Sequence, residues 1–165
     1  MPDQTHEALR LLEQQHREIE DLFDKFADTE DASKRRQLFE SLADQLAAHT
    51  QIEEELFYPA VMDDESEEML RESVEEHLGV KRLIADLLEM SPEDEQFDAK
   101  MELMEELVMR HVEKEEEALF GRVRRDMERE ALVELGERMY ELYSDLMDGE
   151  PRHAVAGQTD AAAHL

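Results

Sequence analysis

The sequence predicts an all-α fold, an up-down-up-down four-helix bundle with an additional C-terminal helix. Only 5 glycines and 4 prolines interrupt 165 residues rich in strong helix formers such as Glu, Leu and Ala. Apolar residues recur at alternating spacings of three and four in five successive segments. The connections between the first four segments are only a few residues long, which favours antiparallel neighbours.

The first four segments each carry one histidine where the apolar stripe calls for a core residue. The predicted helices run from Asp3 to about Ala27, from Ala32 to Ala60, from Glu65 to Met90 and from Ser91 to Met127. Pro59 is expected to bend or end the second helix. Ser91 is the predicted N-cap of the fourth helix, with Pro92 at its first helical position.

The chain divides into three predicted regions. Residues 1–127 form the bundle, residues 128–148 an accessory amphipathic helix, and residues 149–165 a disordered tail without periodicity. The accessory helix is expected either to pack across the bundle or to form a homodimer with a second copy. Its apolar positions are Leu132, Leu135, Met139, Leu142 and Leu146.

Composition narrows the possible chemistry. The sequence contains no cysteine, which excludes disulfides, thiolate metal sites and cysteine nucleophiles. Any metal must therefore be bound through nitrogen and oxygen. The formal net charge of −28 opposes binding to nucleic acid and to anionic membranes. With neither a leader-like segment nor an apolar run of membrane-spanning length, a cytoplasmic protein is expected.

The chain contains an internal duplication of histidines and carboxylates. His49 begins HTQIEEELFYPAV and His111 begins HVEKEEEALFGRV, and the two stretches align without a gap. A lone histidine precedes each stretch, His16 by 33 residues and His77 by 34 residues. The glutamate four positions after each paired histidine is Glu53 or Glu115.

The duplicated pattern predicts a dinuclear metal site. Residues four apart on a helix share a face, so each histidine–glutamate pair can reach a common centre. A lone core histidine is more often satisfied by a neighbouring polar group. Six polar side chains in one core layer, two of them carboxylates, favour a cation. Nitrogen and oxygen donors favour iron or manganese, with zinc as a competitor. The alternative is a metal-free network of hydrogen bonds.

Other polar residues are weaker candidates. Glu54 and Glu116 are expected to face solvent, with a role as outer hydrogen-bond acceptors as the alternative. Tyr58 is expected to pack in the core, with contact to the site as the alternative. No role is expected for His6, His153, His164, Glu55 and Glu117.

These motifs resemble the hemerythrin-like family, also described as the HHE cation-binding domain, over roughly residues 5–125. The resemblance covers a histidine in the first and third helices and H-x-x-x-E in the second and fourth. It implies a bundle around a non-haem centre of two oxo- or hydroxo-bridged iron ions that interacts with O₂, peroxide or nitric oxide. His16 and His49 would bind one iron, and His77 and His111 the other. Glu53 and Glu115 would bridge them.

The sequence departs from the oxygen-carrying hemerythrins at two points. Those proteins place a second histidine four residues before the third-helix ligand, where this chain has Ser73, and use H-x-x-x-x-D in the fourth helix. The resemblance therefore predicts an open or water-filled position on one iron. Ferritin-like di-iron proteins fit less well, because only Glu13 and His16 form their Glu-x-x-His pair.

Three functions are consistent with the sequence. The first is a di-iron protein for O₂ sensing, O₂ storage or catalase-like peroxide decomposition. The second is iron storage or delivery, including repair of iron centres damaged by nitric oxide. The third is a metal-free helical interaction module. The sequence contains no H-E-x-x-H, G-x-S-x-G or phosphate-binding glycine loop to support hydrolysis.

Overall fold

Four long helices, two of them with short extensions, form the bundle in the computed structural model, which describes residues 7–165. The helices are α1 (Ala8–Ala27), α2 (Ala32–Ile52), α3 (Tyr58–Val61), α4 (Glu67–Leu88), α5 (Glu95–Lys114), α6 (Phe120–Asp126) and α7 (Arg129–Asp148). A π-turn at Glu53–Phe57 joins α2 to α3, and a second at Glu115–Leu119 joins α5 to α6. The long helices pack in the cyclic order α1, α2, α4, α5, which confirms the predicted all-α bundle.

Three helix starts differ from the prediction, the third helix by only two residues, since it begins at Glu67 in place of Glu65. The first helix begins at Ala8, because Glu7 has extended backbone and its carboxylate accepts the backbone N–H of Leu9. The fourth begins at Glu95, because Asp94 accepts the backbone N–H of Gln96 and acts as the N-cap. Ser91 caps only the preceding turn. Residues 1–6, which include His6, lie outside the described part of the chain.

The core consists of two apolar clusters with a polar layer between them. One cluster includes Ile19, Phe39, Leu42, Ile84, Phe97 and Met104, and the other Leu9, Leu12, Ile52, Leu70, Leu119 and Phe120. Along each long helix, the histidine lies between residues of the first cluster and residues of the second. The bundle thus places all four histidines at the same level.

The π-turns change which residues face the core. The backbone N–H of Tyr58 bonds to the carbonyl of Glu53, five residues earlier, and Phe120 bonds to Glu115 in the same way. Each π-turn contains one residue more than an α-helical turn. As a result Tyr58 and Phe120 are buried, whereas Ala118, which regular α-helical spacing places in the core, is exposed.

The accessory helix packs across α1 and α2. Leu132, Leu135 and Met139 are buried in the second apolar cluster. Its apolar face is thus covered by the same chain, and the homodimer stays a prediction.

The tail is ordered, contrary to the prediction of disorder. Two short 3₁₀ helices, Pro151–Ala154 and Ala156–Gln158, follow a left-handed turn at Glu150 with φ 51°. Val155 is fully buried in the first apolar cluster, and Arg152 forms an ion pair with Asp44 at 2.7 Å. The buried side chains of Pro151 and Val155 and the contacts of Arg152 with Asp44 and Glu40 hold the segment, and none of them produces a periodic pattern in the sequence. Among residues 7–165, no helix has the length and apolar character needed to cross a membrane.

Candidate metal centre

The six residues singled out by the duplication meet in the polar layer. His16, His49, His77, His111, Glu53 and Glu115 are each at most 6% exposed. Their ligand atoms form two groups, within each of which all atoms lie no more than 4.8 Å apart. The first group contains His16, His49, Glu53 and Glu115, and the second contains Glu53, His77 and His111.

Each carboxylate lies between histidines from both halves of the chain. Oε1 of Glu53 is 3.1 Å from Nε2 of His49 and 3.3 Å from Nε2 of His77. Oε1 of Glu115 is 3.2 Å from Nε2 of His16, and its Oε2 is 3.4 Å from Nε2 of His111. The Nε2 atoms of the four histidines therefore face the two carboxylates.

Several of these inward-facing atoms have no hydrogen-bond partner within residues 7–165. They are Nε2 of His16, Nε2 of His49, both carboxylate oxygens of Glu53 and Oε1 of Glu115. A buried carboxylate without compensation loses several kcal/mol of solvation. Imidazole nitrogens and carboxylate oxygens suit iron, manganese and zinc. The donor set thus fits a metal centre better than a closed network of hydrogen bonds.

The outer nitrogen of each of these four histidines faces an oxygen atom of a neighbouring side chain. Nδ1 of His16 donates to Glu116 at 2.6 Å, Nδ1 of His49 to Gln15 at 2.7 Å and Nδ1 of His111 to Glu76 at 3.4 Å. Nδ1 of His77 lies 3.4 Å from Oε2 of Glu54. A proton on Nδ1 leaves Nε2 as the atom that can bind a cation.

The positions of Glu54 and Glu116 correct the expectation that they face solvent. Each lies one residue after an inward carboxylate, about 100° around the helix, and in a closed bundle this direction meets the neighbouring helix. Gln15 and Glu76 are acceptors that the sequence analysis missed. The available signal was adjacency, because each residue directly precedes a lone histidine, His16 or His77.

Cationic side chains hold the three outer carboxylates. Arg17 binds Glu116 at 2.7 Å, Lys81 binds Glu54 at 2.9 Å, and Lys114 binds Glu76. Gln15 is the neutral exception among the four acceptors.

Tyr58 contacts the site, contrary to the expectation of simple core packing. Its hydroxyl donates to Oε2 of Glu115 at 2.7 Å and lies 3.3 Å from Nε2 of His77 and 3.4 Å from Nε2 of His111. Its ring stacks on His77 with a centroid distance of 5.6 Å. Ser73, where an open metal position was expected, donates to the carbonyl of Met69 and interacts with the Tyr58 hydroxyl. The phenol therefore occupies the space beside Ser73.

A small cavity of about 20 Å³ adjoins the four histidines. Its remaining walls are mainly apolar and include Ile19, Leu46, Val80 and Val108. This volume is close to the minimum that holds one water-sized molecule.

Comparison with known proteins agrees with this geometry. The sequence profile of the hemerythrin HHE cation binding domain matches residues 7–123. The chain belongs to this family. The crystal structure of an HHE cation binding domain-containing protein from Mycobacterium kansasii has the same fold, with a TM-score of 0.77 and 22% identity over 93% of this chain and 94% of that chain.

A second relative is a larger protein. A protein named DNA nickase, from a Nostoc species, is 28% identical over 120 residues, which is 73% of this chain. The matched region makes up only 34% of that protein's length. The similarity therefore covers the domain and leaves most of the nickase unmatched.

The electrostatics of this HHE domain reflect the two central carboxylates. Burial lowers the pKa of His16, but the adjacent carboxylates of Glu115 and Glu116 outweigh burial and raise the pKa to about 9. The pKa of His111 likewise rises well above its usual range, because Glu115 outweighs the effect of burial. Burial opposes ionisation of Glu53, yet His49 and other neighbours hold its pKa well below the usual range. The carboxylates at this centre thus attract positive charge, from protons or from metal ions.

Proposed function

We propose that this HHE domain is a non-haem di-iron protein that reacts with O₂ or peroxide, and that peroxide decomposition is its main reaction. In this proposal His16 and His49 would hold one iron, and His77 and His111 would hold the other. Glu53 and Glu115 would contribute carboxylate oxygens to both. The iron identity is supported by the sulfur-free donor set and by membership of the HHE family.

Two iron ions would supply reversible electron transfer and positive charge at the substrate oxygens. Decomposition converts two molecules of hydrogen peroxide into two of water and one of O₂. One peroxide is reduced and takes up two protons, whereas the other is oxidised and releases two. A site for this reaction must therefore hold and pass protons beside the metal ions.

The position of the Tyr58 hydroxyl is the observation that favours peroxide decomposition over simple O₂ carriage. It lies within 3.4 Å of Nε2 of both His77 and His111 and donates to Glu115 at 2.7 Å. Burial and the neighbouring Glu115 and Glu53 carboxylates raise its pKa well above the usual range before any cation is bound. The hydroxyl therefore keeps its proton at neutral pH and holds it beside Glu115, His77 and His111, where a bound peroxide would need a proton.

The size of the cavity supports a small substrate. Its volume of about 20 Å³ is close to that needed for one water-sized molecule, which favours a small substrate over a large one. The mainly apolar walls, among them Leu46 and Val108, offer no anchoring groups for a larger polar substrate. The net charge of −28 likewise gives no support for carrying the DNA nickase name over to this chain.

The test uses the full chain loaded with iron. We expect about two irons per chain and O₂ release from added hydrogen peroxide. Tyr58→Phe should keep both irons but lose on the order of 10²-fold in turnover, the usual scale for a positioned proton donor. Tyr140→Phe, on the outer face of α7, is the matched control and should turn over normally. Iron-replete protein that releases no O₂ would refute peroxide decomposition.

Iron delivery is distinguished by the rate of metal loss. A permanent reactive centre should lose iron slowly to an added chelator, since its ligands are buried. Complete loss within the mixing time would favour delivery.

A further inference from the structure

Equivalent residues in the two halves of the duplication make equivalent contacts at the site. Glu54 Oε2 lies 3.4 Å from Nδ1 of His77, and Glu116 accepts a hydrogen bond from Nδ1 of His16. Each of these glutamates is the fifth residue after a paired histidine and serves the lone histidine of the other half. Tyr58 and Phe120 also occupy matched positions, with Tyr58 stacked on His77 and Phe120 stacked on His16.

One matched pair of acceptors differs in charge. Gln15 precedes His16 and accepts from His49, whereas Glu76 precedes His77 and accepts from His111. The two contacts are equivalent in the duplication, but one acceptor is a neutral amide and the other a carboxylate. The carboxylate contact is the longer, 3.4 Å against 2.7 Å.

Among residues 7–165, Gln15 has no second hydrogen-bond partner that would explain why an amide occupies this position. Its side chain is 97% buried, since only 3% is exposed, and its Nε2 has no hydrogen-bond partner within residues 7–165. The bond from His49 to Oε1 is therefore the contact that holds this side chain. Glu76, in contrast, is fixed from outside by Lys114.

The difference has a direct consequence for metal binding. A carboxylate behind a ligating imidazole raises the basicity of the inner nitrogen and strengthens its bond to a cation, and a neutral amide does so less. On the His77–His111 side both imidazoles have a carboxylate behind them, Glu54 and Glu76. On the His16–His49 side only His16 has one.

We propose that Gln15 and Glu76 are positioning residues that make the two cation positions unequal. The position at His77 and His111 binds its ion more tightly, and the position at His16 and His49 releases its ion first. This inference rests on the proposed dinuclear site. Exchange of an outer hydrogen-bond partner typically changes metal affinity by about 10- to 100-fold, and the difference between the two positions should lie in that range.

The experiment uses zinc, which binds the same donors without redox change. Metal-free full-length protein receives two equivalents of Zn²⁺, and release to a chelator is followed with time. Wild-type protein should release the ions in two separate steps. Crystals grown with one equivalent of Zn²⁺ should show anomalous scattering at His77 and His111.

Exchanging the acceptors should change the order of binding. Gln15→Glu and Glu76→Gln should each bring the two release steps together, and the double exchange should move the first zinc to His16 and His49. Gln14→Glu and Glu75→Gln make the same charge changes at exposed neighbours and should leave two steps. If Gln15→Glu does not fold, Glu76→Gln, whose side chain is 26% exposed, carries the test.

The outcomes separate this inference from the proposed function. Two zinc ions released in one step from wild-type protein would overturn the inference and leave the dinuclear site intact. Binding of fewer than two ions would overturn the site itself. If Tyr58→Phe alone equalised the two steps, the phenol would set the difference, and the role of Gln15 and Glu76 would be refuted.

Discussion

Each carboxylate at the centre of the bundle has histidines as its nearest charged neighbours, in place of lysine or arginine. Glu53 lies between His49 and His77, and Glu115 lies between His16 and His111. Both carboxylates are almost completely buried. Removing one histidine therefore removes an inner nitrogen and leaves a buried negative charge with less compensation.

We expect His49→Ala and His111→Ala each to lower the iron content from two ions per chain to one or none. Each change removes an imidazole nitrogen that faces the two carboxylates and leaves a cavity beside them. His153→Ala is the matched control, because that side chain is 63% exposed and pairs only with Glu150 among the described ion pairs. The measurement is iron per chain after identical loading. Equal iron in all three variants would contradict the assignment of the duplicated motif.

The residues that were missed or misplaced from the sequence are those whose role depends on a neighbouring helix. The six inner residues were recognisable because each interrupts an apolar stripe on its own helix. Gln15, Glu76 and Tyr58 act across helix interfaces, and a single stripe does not reveal such contacts. For Tyr58 the π-turn also shifts the register.

The structure changes the expectation for Ser73. A histidine introduced at this position would add bulk at a buried site beside the Tyr58 phenol. We expect Ser73→His to lower the free energy of unfolding by about 1–3 kcal/mol through overpacking. Ser73→Ala, which removes only the bond to the Met69 carbonyl, should cost less. Chemical denaturation at matched iron content measures both. Unchanged stability of Ser73→His would show that the space is open after all.

At the scale of the elements, the π-turns place an aromatic residue on the same face as each inner glutamate. Tyr58 and Phe120 lie five residues after Glu53 and Glu115. A spacing of five puts residues on one face only where the helix is wider than an α-helix. The helices themselves were predictable from apolar spacing, but this extra residue was not, because glutamate-rich turns favour the α-helix equally.

We expect deletion of Glu55 to be tolerated. Glu55 is exposed within the first π-turn, and its removal leaves Tyr58 four residues after Glu53, which is the same face of a regular α-helix. Deletion of Gln51, in the regular part of α2, should instead turn Glu53 away from the site by about 100°. Thermal unfolding followed by circular dichroism compares the two variants. A cooperative, near wild-type transition for the Gln51 deletion, or its loss for the Glu55 deletion, would refute this account of the π-turn.

At the scale of the whole molecule, a polar layer divides the core. Apolar clusters on either side hold the bundle together, which is why periodicity predicted the fold. The structure of the tail escaped prediction because a few non-periodic residues anchor it, among them Val155 in the core and Arg152 beside Asp44. The polar layer contributes to stability only when positive charge, from protons or from metal ions, offsets Glu53 and Glu115. Its contribution must therefore depend on pH.

Metal-free and metal-loaded protein should respond to pH in opposite ways. The pKa of His16 is raised from 6.5 to about 9 in the folded protein. Protonation of His16 therefore adds at most about 3 kcal/mol to the free energy of unfolding. This contribution is fully present below about pH 6.5 and is lost as the pH rises through 9. The pKa of Glu76 is lowered to about 2, so its stabilising contribution is lost as the pH falls from about 4.5 towards 2. Metal-free protein should accordingly be most stable between these two limits.

Metal ions and protons compete for the same imidazoles and carboxylates. The stabilisation provided by the metal should therefore grow from about pH 5 upwards, and the metal should be released below that pH. The measurement is the melting temperature of chelator-treated and of iron-loaded protein at constant ionic strength, from pH 5 to pH 9. We expect the difference between the two melting temperatures to widen steadily over this range, because the metal-free curve falls through the titration of His16 while the loaded protein keeps its imidazoles bound to the ions. His153→Ala, which leaves the polar layer intact, should reproduce both curves. A metal-free melting temperature that stays constant or rises between pH 6.5 and pH 9 would show that the carboxylates are not compensated by histidine protons in the way this structure indicates.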